Sequence, residues 1–164
     1  MILLSIWIAE AQMFKETESI IHKEMDFLPL HNNANIHEGN SLNMDWEEIV
    51  KSNTLSYIMG NPPFVGAKMM NKQQKAEVLS LFNENSSAKS LDYVAAWYKK
   101  SAEYMKETNI HSAFVSTNSI TQGEQVPILW ESLMQEGIII NFAYKSFIWD
   151  SEANLKAHVH CVIV

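Results

Sequence analysis

The sequence predicts an α/β fold with a largely parallel sheet, and three observations carry that expectation. Apolar runs of strand length (residues 55–59, 111–116, 138–144 and 157–164) alternate with stretches of helical periodicity. Glycine or proline punctuates the boundaries, at Gly60, Pro62, Pro63 and Gly137. Hydrophobic residues make up 47% of the 164 positions, enough for one domain with a real core and too little for two comfortable ones.

Each element has its own local reason. Leu4, Trp7, Ile8, Ala11 and Phe14 recur at helical spacing, so the opening stretch reads as a packed amphipathic helix. It is short, lacks a basic flank and leads into Glu10, which argues against a signal peptide or a membrane span. A polar stretch follows, then a weak strand candidate at residues 35–38 closed by Gly39-Asn40-Ser41-Leu42. Asp45-Trp46-Glu47-Glu48 has the form of a capped helical turn leading to the strand at Leu55. Residues 71–82 are helical in pattern, and residues 83–90 form a loop by composition.

The clearest helix comes next, with Ser90 as N-cap and Asp92 in the first turn. Its apolar stripe is Leu91, Val94, Ala95, Tyr98, Ala102 and Met105. After the strand at 111–116 comes a polar turn, Thr117-Asn118-Ser119; residues 126–135 are helical, with Gly137 as a stop. The last two strands are expected at 138–144 and 157–164.

Charge and cysteine usage narrow the function. The formal net charge is −7 and no Lys/Arg cluster exists, so strong sequence-independent grip on DNA is not expected from these residues alone. The single cysteine, Cys161, excludes an intrachain disulfide framework and fits a reducing cytoplasm; within an apolar run it reads as a buried thiol. His158 and His160 would share a strand face, but no third ligand has suitable spacing, so no metal site is expected. HExxH, CxxC, phosphate-loop and GxSxG motifs are all absent.

The chemistry concentrates at Asn61-Pro62-Pro63-Phe64, directly after the strand that stops at Gly60. Pro62 and Pro63 lack amide hydrogens and fix φ near −65°, so the chain can neither extend the strand nor start a helix there. Ligands of open α/β sheets bind at the carboxyl edge of the strands. The corner offers two acceptors, the Asn61 side-chain oxygen and the Pro62 carbonyl, with no competing backbone donor beside them. Two fixed acceptors suit an exocyclic amino group held for reaction. The plainer reading is a proline-rich turn or a short polyproline ligand.

With these residues in view, the chain resembles the methyltransferase core of DNA adenine-N6 methyltransferases, most of all that of the single-chain, MmeI-like restriction–modification enzymes. Gly39-Asn40-Ser41-Leu42 with Asp45-Trp46 is similar to the segment after the family's third strand, and Asn61-Pro62-Pro63-Phe64 to its catalytic tetrapeptide. Leu91-Asp92-Tyr93-Val94 is similar to the helix behind that tetrapeptide. The run from Thr117 to Gln125 resembles a signature after the fifth strand, and Phe147-Ile148-Trp149 the motif whose aromatic stacks on the target base.

The resemblance implies a partial Rossmann-like class I S-adenosylmethionine-dependent methyltransferase fold: a mostly parallel sheet, helices on both faces, and strand order third, second, first, fourth, fifth, seventh, sixth. It implies one incomplete catalytic domain over residues 1–164, with S-adenosylmethionine as cofactor and duplex DNA carrying a flipped adenine as partner, gripped through regions outside this chain. Catalysis would fall to Asn61, Pro62, Pro63 and Phe64, cofactor binding to Asn40, Ser41 and Leu42, and base stacking to Phe64 with Phe147 or Trp149. One of that last pair could equally face the core as a strand residue.

Two departures stand out. Asn40 occupies a position where many relatives carry aspartate. The family's glycine-rich loop and first two strands have no counterpart, since the five glycines (39, 60, 66, 123, 137) form no such loop. The expectation is therefore a fragment beginning at the helix before the third strand, with weak cofactor binding and an apolar strand edge at 55–59 prone to self-association. Alternative readings are a protein glutamine-N5 methyltransferase, which uses a similar corner, and a non-catalytic truncated domain.

Overall fold

In the computed structural model of this chain, the described residues are 12, 13, 17, 36–149 and 159–164. Gly39–Val164 forms one compact unit and Met1–Glu38 another. In the smaller unit Gln12, Met13 and Thr17 are helical, with the Thr17 hydroxyl donating to the Met13 carbonyl at 2.8 Å. The apolar stripe expected from Leu4 to Phe14 lies outside the described residues. Residues 36–38 have no regular structure, which corrects the strand expected there.

The larger unit begins with a short helix, α1 (Trp46–Ile49), capped by Asp45, whose side chain accepts the Glu47 amide. Strand β1 (Tyr57–Gly60) follows, then α2 (Lys72–Leu81). A capping box starts α2: Asn71 Oδ1 accepts the Gln74 amide at 2.9 Å, and Gln74 Oε1 accepts the Asn71 amide at 3.0 Å. Helix α3 (Ala95–Met105) and strand β2 (His111–Thr117) come next. A π-helical turn, Pro127–Glu131, then runs directly into α4 (Ser132–Gln135). Gly137, at φ +88°, closes α4 in the left-handed region that glycine tolerates. The chain ends in β3 (Tyr144–Trp149) and β4 (Val159–Ile163).

The four strands are ordered β1-β2-β4-β3. β1 pairs with β2 in parallel, Gly60 lying opposite Phe114. β4 runs antiparallel to both β2 and β3. Only one of the three pairings is parallel, so the mostly parallel sheet expected from the sequence is corrected to a mixed one. The cause is the insertion of β4: because it reverses against both neighbours, β3 points the same way as β1 and β2 yet touches neither.

Two further expectations are corrected. The apolar run at 138–144 is not a strand; Ile139 and Phe142 are exposed, and pairing starts only at Tyr144. Ser90 ends a 3-10 turn (Ser86–Ser90) instead of capping a helix, and α3 begins at Ala95 with Val94 as N-cap, so Asp92 precedes the helix. Of the stripe, Leu91, Val94, Ala95, Tyr98 and Ala102 are buried and Met105 is half-buried.

The core lies over β2. Phe114, at 2% exposure, meets Tyr98 edge-on at 5.2 Å, and Tyr98 meets Trp130 at 5.4 Å. The Trp130 indole donates to the Ile120 carbonyl at 2.7 Å, so its buried polar atom is satisfied. Lys99, only 4% exposed, pairs with Glu136 and lies 3.7 Å from Glu103. Cys161 is fully buried, and burial pushes its thiol up, as an inert structural cysteine requires. Among the described residues no helix is long and apolar enough to cross a membrane, and no group of three or more His, Cys, Asp or Glu could hold a metal ion.

Burial raises the Tyr98 phenol from 10.0 to about 12, although its hydrogen bond with Ser116 opposes the shift. A folded value above the unfolded one gives a contribution that is complete below about pH 10 and lost as pH rises toward 12. Tyr98→Phe is expected to cost about 1 kcal/mol at neutral pH through the lost hydrogen bond. It should also flatten the fall in stability between pH 10 and 12, as read from denaturant titrations across that range.

Candidate active site

The corner after β1 is built by a strand that must stop. A side chain at Gly60 would place its Cβ 3.3 Å from the Phe114 ring, so the absence of one lets β1 lie close against the core. The two prolines follow immediately, Pro62 buried and Pro63 exposed. The Pro63 carbonyl accepts the Val65 amide at 3.1 Å, turning the chain sharply back on itself.

Asn61 is exposed, and its side chain makes no hydrogen bond among the described residues. The Pro62 carbonyl likewise accepts none. Both acceptors singled out in the sequence are thus uncommitted, while the carbonyl next to them is used. Phe64 is half-buried beside them.

Beyond Phe64 the corner is tethered. The Val65 carbonyl accepts the Tyr93 amide at 2.9 Å, and the Ala67 amide donates to Asp92 Oδ1 at 2.9 Å. Asp92, 8% exposed, also accepts from Thr117 Oγ1 at 3.4 Å and from the Ser119 hydroxyl, and its own amide donates to Gln125 Oε1 at 3.0 Å. The chain just beyond the corner and the run that starts at Thr117 therefore meet at one carboxylate. Sequence reading missed this role because Asp92 looked like a first-turn helix residue; no spacing pattern links positions 67, 92, 117 and 119.

The segment after Glu38 is similarly locked. Asn40 Oδ1 accepts the Leu42 amide at 3.0 Å, and Asn40 Nδ2 donates to Glu77 Oε1 at 2.9 Å. Asn40 is itself exposed, Ser41 is half-buried and Leu42 is buried. The Ser41 hydroxyl accepts from the Trp97 indole at 3.0 Å, and the Ser41 carbonyl from the Trp46 indole at 2.8 Å. Lys100 Nζ donates to the carbonyls of Leu42 and Met44, both at 2.6 Å.

Glu77, which sequence reading did not single out, gathers Asn40, Asn43, Gln73 and the Tyr93 hydroxyl. Burial pushes its carboxyl up, but those four donors outweigh it and hold the group below its ordinary value. Burial, together with the bond to Glu77, pushes the Tyr93 phenol up.

On the far side, Phe147 is half-buried opposite Cys161 on β4, and Trp149 is paired in register with Val159. Asn118 Oδ1 accepts from Thr121 at 3.0 Å and from Ser146 at 2.6 Å, which ties the loop after β2 to the residue before Phe147. Two cavities, of about 780 and 650 Å³, lie elsewhere. The larger is lined by Tyr57 and Met59 of β1, His111 of β2 and Phe142, the smaller by Tyr144 and Phe147 of β3 and Ile163 of β4. Neither is lined by Asn61 or its prolines. The corner is an open ledge.

Glu77→Ala removes the shared acceptor of Asn40 and Asn43. With about 0.5 kcal/mol lost for each of these two exposed bonds, the amides of residues 42–44 should exchange hydrogen roughly fivefold faster at neutral pH while those of α3 stay unchanged, as mass spectrometry or NMR would read.

Residues 1–164 match the family model described as "MmeI, DNA-methyltransferase domain". "DNA methyltransferase A" of Bacillus subtilis (strain 168) is 46% identical over 164 residues, a stretch that is 98% of this chain and 19% of that protein. The solved structure of the Type IIL restriction–modification enzyme MmeI in complex with DNA is similar at a TM-score of 0.80 and 45% identity, over 96% of this chain and 21% of that one. The chain spans about a fifth of the length of these relatives.

Proposed function

Because this chain belongs to the MmeI DNA-methyltransferase domain family, we propose that it carries the amine-holding half of an S-adenosylmethionine-dependent DNA adenine-N6 methyltransferase within a restriction–modification enzyme. The observation that carries the reading is the pair of uncommitted acceptors at the corner, Asn61 Oδ1 and the Pro62 carbonyl.

Adenine N6 is a poor nucleophile because its lone pair is delocalised into the ring. With the base flipped out of the duplex, the two acceptors take the two N6 hydrogens, orient the lone pair and stabilise the positive charge that grows on nitrogen. Held this way, the amine would be aimed at the methyl group that the cofactor would supply, and N6 would shed one proton to solvent once methylated. Phe64 stacks on one face of the base, and Phe147 or Trp149 on the other, each for about 1–3 kcal/mol.

S-adenosylmethionine supplies a methyl group already activated by the sulfonium, so positioning does the rest. Asn40, exposed and with one lone pair of Oδ1 left, fits the amino group of its adenine; Ser41 and Leu42 fix the segment. The five glycines provide no loop for the ribose and methionine end.

The strand order β1-β2-β4-β3 supports a partial Rossmann-like reading, being the fourth, fifth, seventh, sixth order that the resemblance implies. The net charge of −7 supports a grip on DNA located outside these residues. A lone buried thiol is in keeping with the cytoplasm, where such an enzyme meets its DNA.

Asn61→Ala in the full-length protein should lower methyl transfer to duplex DNA by about 100- to 1,000-fold. The fold should remain intact, because among the described residues the side chain has no partner to lose. Near-normal methylation would sink the assignment, and transfer to a glutamine-bearing protein in place of DNA would favour the glutamine-N5 alternative. The 164-residue chain alone should be inactive and self-associate along β1, where Tyr57 and Met59 are 66% and 81% exposed; sedimentation showing a monomer across concentrations would exclude this.

A further inference from the structure

We propose that Asp92 is the positioning residue of the corner, holding Asn61-Pro62-Pro63-Phe64 in register with the loop after β2. The inference rests on the reading that this corner holds the target amine. Prolines 62 and 63 have no amides to donate, and the Val65 amide turns back to the Pro63 carbonyl. The first tethers to the rest of the fold after β1 are therefore the Val65 carbonyl, bonded to the Tyr93 amide, and the Ala67 amide, bonded to Asp92 Oδ1 at 2.9 Å.

The other carboxylate oxygen reaches the hydroxyls of Thr117 and Ser119. One side chain thus sets the spacing between the corner and the loop whose Asn118 bonds Ser146, the residue before Phe147. Among the described residues no cation pairs with Asp92; its partners are a backbone N–H and two hydroxyls on short side chains. A lysine or arginine would supply charge on a long, mobile stem. These donors supply geometry.

The test uses the full-length protein with Asp92→Ala, Asp92→Asn and Ser119→Ala, read by steady-state methylation of duplex DNA and by hydrogen exchange at the Ala67 amide. Asp92→Ala is expected to lower kcat roughly 100-fold, with KM for DNA within about threefold, and to remove protection at Ala67. Asp92→Asn keeps the acceptor for Ala67 and can donate to both hydroxyls, so kcat should return to within about threefold of the parent. Ser119→Ala leaves the Ala67 bond in place and should cost about tenfold in kcat.

Wild-type kcat in folded Asp92→Ala, or unchanged protection at Ala67, would overturn the proposal. Where Asp92→Ala does not fold, wild-type kcat in Ser119→Ala overturns it, and a tenfold loss rescued in no other way sustains it. Absence of methyl transfer by the unmodified protein would sink the functional reading instead. Exchange at Ala67 then decides by itself whether Asp92 holds the corner.

Discussion

A carboxylate with less than a tenth of its surface exposed must fill its lone pairs, and Asp92 fills them from both sides of the candidate site. That requirement fixes more than one side chain. The prolines that keep the corner free of competing donors also strip it of the amides by which a loop is usually fastened. The fastening has to come from the residues just beyond, and Val65 and Ala67 find it at Tyr93 and Asp92. The two properties a reactive ledge needs, open acceptors and rigid placement, are in this way assigned to adjacent but separate stretches of chain.

The sheet contributes the other half of that placement. β2 is the strand about which the unit is organised: Phe114 fills the core, its carbonyl receives Tyr98 and the Val164 amide, and its ring sets how near β1 can lie at Gly60. β4, inserted between β2 and β3, moves β3 one strand-width further from β1. On the opposite flank β1 has only β2 for company among the described strands, which leaves Tyr57 and Met59 in solvent. A strand rich in apolar side chains on an unpaired edge is stable only when something covers it.

The parts legible in the sequence were those where local chemistry leaves no choice. Two consecutive prolines after a strand admit few backbones, and Asp45 ahead of Trp46-Glu47-Glu48 caps the helical turn expected there. Hydrophobic periodicity named the buried stripe of α3 correctly, because burial is what that pattern encodes. What failed was decided by tertiary contact. Ile138, Ile139 and Ile140 look like a strand, but pairing depends on where β4 lies, and that puts the start of β3 at Tyr144. Ser90 and Asp92 both suit a helix start; Asp92 is instead drawn off by residues 25 and 27 positions away, at Ala67, Thr117 and Ser119.

The asparagine at position 40 has a physical reason in this chain. Its Nδ2 donates to Glu77 Oε1 at 2.9 Å, and that carboxyl is held below its ordinary value, so it stays ionised. An aspartate in the same place would set two carboxylates against each other at hydrogen-bonding distance, an arrangement that forces one of them to take a proton. Asparagine keeps the acceptor on one side, where Oδ1 already receives the Leu42 amide, and supplies a donor on the other. Position 40 and position 77 are therefore a single choice: with glutamate at 77 gathering the loop, the residue facing it must be one that can give a hydrogen bond.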